Sequence, residues 1–373
     1  GFMGNIFPVI AMAFVGIVVV GMNYREMVRH EKLVLTTSVA IMIVGFAGIL
    51  FGQGHIFTPA VAGVTTAALL AWKRPISRFA LGLSDQELRS AILLAILTII
   101  ILTVLPSRPV DPWGLVEPRS NWVSVVIIAG MGFVNYILMK LLGPRGMEIS
   151  AFFGGLVNSR KIIVELGTRL RQVGPALLPS VERGILLATG AMIIRNLLIV
   201  AILALSALKY CAIPLALMFL VNAFLWWRVP APVSDTGGAP EFALESPFKL
   251  SAALMFGLMF LMLNVVGALA QRNFGSASFY FVSIVGGLFS SASSIASAAT
   301  LTSNGELPMA TGVNGVIFSS LTSILANIPF IRGLMKEDES KRKLTMALVV
   351  IAAAGLVGGV VNYLIFAHRL FER

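Results

Sequence analysis

The run GGLVNSRKII, Gly154 to Ile163, returns 132 residues later as GGLFSSASSI, Gly286 to Ile295. Each copy follows a strongly apolar stretch, and each has a glycine eleven residues upstream, Gly143 and Gly275. The first copy is loaded with positive charge, Arg160 and Lys161, and the second with hydroxyls, Ser290, Ser291, Ser293 and Ser294. How these two runs fold decides whether the chain is a string of unrelated helices or two matched halves.

The solvent is set by composition. The chain is 57% hydrophobic and 12% charged, with a mean hydropathy of +0.91, whereas soluble chains carry about a quarter charged residues. That is the signature of a multi-pass membrane protein. A helix needs about 20 apolar residues to cross a bilayer. Windows of that kind recur near 3–22, 33–52, 55–72, 90–106, 122–142, 148–166, 184–206, 210–227, 250–271, 279–301, 309–331 and 344–367. The runs are continuous rather than alternating, which argues against a β-barrel. The expected fold is therefore all-α, a transmembrane bundle of about 12 helices. One window stands apart: 148–166 holds Arg160, Lys161 and Glu165.

If every window crosses once, the larger share of the 28 Lys and Arg residues falls on one side, which the positive-inside rule makes the inner one. Arg169, Arg171 and Arg183 are then left outside. The net charge of +11 reads as helix ends facing anionic lipid headgroups rather than as a nucleic-acid surface. RFALGLSDQELR, from Arg78, reads as an interfacial amphipathic helix. The lone Cys211 excludes an internal disulfide. The opening Gly1-Phe2, with neither an initiator methionine nor a signal-peptide pattern, suggests a chain incomplete at its N-terminus.

Aligned on the double glycines, RGILLATGAMIIRNLL (183–198) parallels NGVIFSSLTSILANIP (314–329), and each carries an intramembrane asparagine, Asn196 and Asn327. The spacing predicts an internal repeat of about four helices per half, and an even number makes the halves parallel. The expected organisation is an N-terminal region over 1–106, a first repeat over 107–228, a linker over 229–248 and a second repeat over 249–373. Four prolines and a Gly-Gly mark the linker, within Arg228 to Phe248.

The glycine pairs Gly154-Gly155 and Gly286-Gly287 admit two readings. One is close helix packing, with Ser290, Ser294 and Ala298 as a small-residue stripe; the other is a broken helix whose new N-terminus faces an anion. A charge at bilayer depth costs about 2.5–3.5 kcal/mol on insertion scales, so Arg160, Lys161 and Arg195 should face protein or water. The candidate ligand-binding or pathway residues are Arg195, Asn196, Arg160, Lys161, Asn158, Asn327, Ser290, Ser291 and Ser294, with Gly154, Gly155, Gly286 and Gly287 structural. The competing reading of Arg195 is a structural cap on the carbonyls of a neighbouring broken helix. Direct conduction of a divalent cation is disfavoured because nearly all 17 acids fall in loops. The three histidines lie near span ends, and no phosphate-binding loop or dinucleotide fingerprint is present, so neither enzyme activity, metal nor cofactor is expected.

Several runs together resemble a known family: LVLTTSVAIMIVGFAGILFGQG, LLAWKRPISRFALGLSDQELRSAI, TVLPSRPVDPWGLVEPRSNW, FFGGLVNSRK, GILLATGAMIIRNLL and SPFKLSAALMFG. In that order they are similar to the long members of the MgtC/SapB family of bacterial inner-membrane proteins, from about Leu33 to Lys343. Trp122, the run at Gly154 and Arg195 carry the resemblance best. It implies an MgtC-like N-terminal region, a polytopic domain after it, residence in the inner membrane, and an association with growth at low magnesium and with virulence. The chain departs where that family has Ser-Ser-Thr-Ala after the first Gly-Gly-Leu, here Asn158 to Lys161, and where it has an Asp-containing stretch, here Ser290 to Ser293. The acidic Gly-Leu-Glu-Arg signature of the MgtC region is absent from the sequence.

Two functions follow. One is a transporter or permease for an anionic solute or lipid. The other is a non-catalytic membrane subunit that scaffolds or regulates a larger complex. The expected partners are membrane lipids, with a second copy or a larger membrane assembly, and no nucleic acid.

Overall fold

The computed structural model describes residues 6–30, 35–73, 84–112, 114, 116–142, 146–230, 250–335 and 337–370. Among these, every regular element is helical, and nine helices are long and apolar enough to cross a membrane. The chain divides into two compact units, Gly1–Leu88 and Arg89–Arg373.

The first unit holds α1 (Ile6–His30), α2 (Leu35–Gly52) and α3 (Phe57–Ala71). Asn23 donates to Ser38 Oγ at 2.5 Å, tying α1 to α2, and Gly45 lets α2 press on Val15. The expected span 55–72 is not met, because α3 has 15 residues and reaches only about 22 Å, short of a hydrocarbon core of about 30 Å.

The helix α4 starts at Asp85, within the first unit, and runs through a π-helical turn to Val104. Ser84 and Glu87 form a reciprocal capping box at its start. The expected amphipathic helix from Arg78 lies outside the described residues as far as residue 83, and Asp85 to Arg89 belong to α4. The remaining elements are α5 (Pro118–Leu142), α6 (Gly146–Val173), α7 (Leu178–Leu203), α8 (Leu205–Arg228), α9 (Leu250–Phe274), α10 (Ser276–Phe289), α11 (Ser291–Ser303), α12 (Met309–Leu325), α13 (Ile328–Leu334) and α14 (Asp338–Leu370). Most of the expected linker, 231–248, lies outside the described residues. Trp122 ties α5 to α4 by donating to the Leu97 carbonyl at 2.9 Å.

The windows at 148–166 and 279–301 do not run straight through the bundle. A methyl group on Gly184 of α7 would touch both Leu166 and Ala151, which a continuous helix would hold about 22 Å apart. Gly267 of α9 likewise lies against both Phe279 and Leu301, about 33 Å apart in a straight helix. Each segment therefore folds back as a hairpin. The limbs of the first are Gly146–Val157 and Ser159–Val173, both within α6, and those of the second are α10 and α11.

The ends agree. Arg183, at the start of α7, pairs with Glu148 at the start of α6 and donates to the Val229 carbonyl beyond α8. Arg171, at the end of α6, donates to the Leu334 carbonyl at 2.8 Å and to that of Gly333. At the opposite end, Ser276 and Thr311 share a hydrogen bond at 2.9 Å, and Tyr210 meets Phe366 edge-on. Each half thus contributes three long helices and one hairpin, not four crossings. Arg169, Arg171 and Arg183 accordingly share an end of the bundle with Arg332 and Lys341, contrary to the side on which single crossings leave them.

The core lies along α7, α11 and α12. Nearly every side chain of α11 is buried, and most are Ala, Ser or Thr, sizes that let helix backbones approach closely.

Candidate functional site

The two hairpins turn by the same device. Asn158 breaks α6 with φ −153° and ψ 94°, and Ser290 separates α10 from α11 with φ −153° and ψ 102°. Asn158 Oδ1 accepts from the Lys161 amide at 3.1 Å, and Ser290 Oγ from the Ser293 amide at 3.2 Å. Each is an N-cap, satisfying one of the free donors that begin a helix. The breaks are 132 residues apart, the spacing of the glycine runs.

The glycines do not form the breaks; they let the limbs close. A methyl on Gly154 would lie 2.4 Å from Ile162 Cδ1 and one on Gly286 2.7 Å from Ser294 Oγ, in both cases a residue eight positions on. The second glycine of each pair meets a neighbouring backbone. A methyl on Gly155 would stand 2.6 Å from Ala188 Cα of α7, and one on Gly287 2.6 Å from the Ser319 carbonyl oxygen of α12. The close-packing reading therefore holds at the glycines, while the helices break three residues further on, at Asn158 and Ser290.

At the tips, two guanidinium groups join the hairpins. Arg195, in mid α7, donates from Nη1 to the Val157 carbonyl at 3.0 Å and from Nη2 to Ser291 Oγ at 2.8 Å. Arg160, two residues past the first break, donates from Nη2 to the Leu288 carbonyl at 2.7 Å and stands over the Phe330 ring, 5.6 Å from its centroid. Val157 and Leu288 end the first limbs, where unsatisfied carbonyls carry the negative end of the helix dipole. Each arginine therefore caps a limb, the structural role weighed for Arg195. The Nε atoms of both are buried without a hydrogen-bond partner among the described residues.

Hydroxyls and amides fill the space behind. Asn196 donates to Ser320 Oγ at 3.1 Å, and Ser294 and Ser319 share a hydrogen bond at 2.7 Å within reach of the Ser283 carbonyl. Asn327 stands at the α12–α13 junction with its Nδ2 buried and without a hydrogen-bond partner among the described residues. Pro329 follows it and cannot donate the backbone hydrogen bond that would continue α12. Lys161 is exposed beside the first tip, as are Val157 and Asn158. Glu165 pairs with Arg169 at 2.8 Å.

The structure thus brings Arg160, Ser290, Ser291 and Arg195 to one crossing, with Asn158 and Lys161 at its edge and Asn196 and Ser294 behind it. Sequence reasoning missed Ser319, Ser320 and Phe330. A signal for the serines existed: the aligned runs set Ser319-Ser320 opposite Ala188-Thr189, a polar gain in the second copy.

Long apolar helices enclosing hairpins define a multi-pass helical membrane protein. The chain belongs to the family described as Domain of unknown function (DUF4010), whose match covers residues 126–334, from within α5 to the end of α13, and so includes both hairpins. The MgtC/SapB part of the resemblance has no matching family. Neither the curated proteins nor the solved structures yielded a match.

Proposed function

We propose that the protein is a secondary transporter for small anions, built from two inverted repeats, α5–α8 and α9–α14, whose re-entrant hairpins enter from opposite faces and meet near the bilayer midplane. Three crossings per half are an odd number, and an odd number reverses the second copy. Matched backbone angles at Asn158 and Ser290, matched caps and matched glycine contacts support the duplication.

The observation that carries the reading is the Arg195 bridge between both tips. Arg195 and Arg160 neutralise the carbonyl ends of the first limbs, so the positive amide ends of the second limbs, at Ser159 and Ser291, stand unopposed. An anion entering there gains two helix N-termini and two guanidinium groups; a cation would be repelled by the same groups. Access from one face requires that face's tip to part from Arg195. Because a single guanidinium holds Val157 and Ser291, opening at one face leaves the other latched. That is the requirement of alternating access.

A non-transporting subunit is the second reading, favoured by the exposed Val157, Leu288 and Phe289 beside the tips, which another chain would cover. Two measurements separate them. Liposomes carrying the protein should take up labelled inorganic phosphate, sulfate or a dicarboxylate, and the Arg195→Ala variant should not; uptake at the level of empty liposomes for every probe opposes transport. An Asn158→Cys variant lacking Cys211 should react with an impermeant thiol reagent from either face in a transporter. Reaction from neither face favours the covered subunit.

A further inference from the structure

We propose that the cavity between α13 and α14 binds the phosphate headgroup of an anionic phospholipid. The cavity measures about 570 Å³ and is lined by Arg332, Asp338, Lys341, Arg342, Thr345, Met346 and Val349. Three cations face one acid. Asp338 is engaged by Lys341 at 2.8 Å, while Arg332 and Arg342 have no hydrogen bond or ion pair among the described residues. Thr345 Oγ1 is buried in the same wall without a hydrogen-bond partner among the described residues. Two guanidinium forks that make no hydrogen bond among the described residues, and a hydroxyl, are suited to phosphate oxygens.

The α14 side of the cavity, which runs on from Arg342 and Thr345 to Met346 and Val349, identifies the source of that phosphate. Met346 and Val349 are exposed, and the apolar exposure continues along α14 through Leu356, Val357 and Val360, spaced at helical period along one face. A polar mouth running into an apolar helix face matches an amphiphile, headgroup above and acyl chains below; a free anion needs no such face. The cavity also lies at the bundle end that gathers Arg171 and Arg183, where the positive-inside rule sets the inner, anionic leaflet. Basic pockets between helix ends on that side bind anionic headgroups in general. The inference stands independently of transport.

The full chain in neutral detergent, examined by native mass spectrometry, tests it with diphosphatidylglycerol, phosphatidylglycerol and phosphatidylcholine at equal concentration. The two anionic lipids should be retained in preference to phosphatidylcholine. Arg332→Gln with Arg342→Gln should weaken that retention about thirtyfold, roughly fivefold per cation near the surface. Arg342→Lys, which keeps the charge, should retain most of it, and circular dichroism reports whether each variant keeps its helices. Equal retention of phosphatidylcholine, or unchanged retention in a folded double variant, would overturn the proposal. So would calorimetric binding of inorganic phosphate without preference among lipids, which would make the cavity a soluble-anion site.

Discussion

Gly287→Ala probes the contact on which the hairpin arrangement rests. The added methyl would stand 2.6 Å from the Ser319 carbonyl oxygen, 2.9 Å from its Cα and 3.1 Å from its carbonyl carbon. Ordinary contact begins near 3.5 Å, so α10 and α12 must separate by about 0.9 Å. Both sides of the contact are backbone, and no side chain can turn away. Overpacking of this kind costs about 1–3 kcal/mol, and a rigid backbone contact belongs at the upper end. Replacing glycine by alanine inside a helix returns about 1 kcal/mol, leaving a net loss of about 2 kcal/mol. The assay is thermal unfolding in detergent, followed by the helix signal in circular dichroism. Gly130→Ala is the control, because a methyl there meets nothing within 4 Å; it should unfold no earlier than the parent. Gly287→Ala unfolding at or above the parent temperature would refute the close approach.

Other expectations follow from the same geometry. Asn158→Ala and Ser290→Ala each remove an N-cap and should cost about 1 kcal/mol, whereas Ser290→Gly should cost only a few tenths; hydrogen exchange at the Lys161 and Ser293 amides reports the loss directly. Arg195→Gln removes hydrogen bonds from a charged donor, about 1.5–3 kcal/mol each, so it should lower the unfolding temperature well below that of the parent. Burial raises the Glu306 carboxyl above its ordinary range, with Asp111 adding to the rise and the Asn304 hydrogen bond and Arg272 opposing it. The ionised form is therefore penalised in the folded state, and stability falls as pH climbs from the ordinary carboxylate range through the raised folded value. Glu306→Gln should unfold later than the parent near neutrality and show no advantage in acid, where both side chains are neutral; a variant with the parent's pH slope would contradict this.

Hydropathy read the helical class and the long apolar helices correctly, because a bilayer demands length and apolarity from each span. It failed where a segment is apolar yet turns back. The 279–301 window is long and apolar enough to cross, yet the extended geometry at Ser290 and the contacts of Gly267 with both Phe279 and Leu301 show that it folds back on itself. The 148–166 window gave a warning in Arg160 and Lys161, charges that a single crossing does not explain. The positions where the limbs close were legible at Gly154 and Gly286, since a limb can close only where a side chain is missing. The break itself lies three residues past the second glycine, at caps whose hydrogen bonds form only once the chain has turned. Arg195 was legible as a charge within a long apolar helix. That it reaches both tips depends on contacts between residues up to 96 positions apart, which no local pattern encodes.

The direction of the two hairpins is tested most directly by single-cysteine labelling in a Cys211→Ala background. Gln172→Cys reports the turn after α6, and Ser303→Cys the end of α11. An impermeant thiol reagent applied to sealed, right-side-out vesicles should label Ser303→Cys at once and Gln172→Cys only after permeabilisation, because the Gln172 turn shares the basic end with Arg171 and Arg332. Labelling of both from the same face would mean that the two segments run straight through the membrane, and the account of opposed hairpins would be wrong.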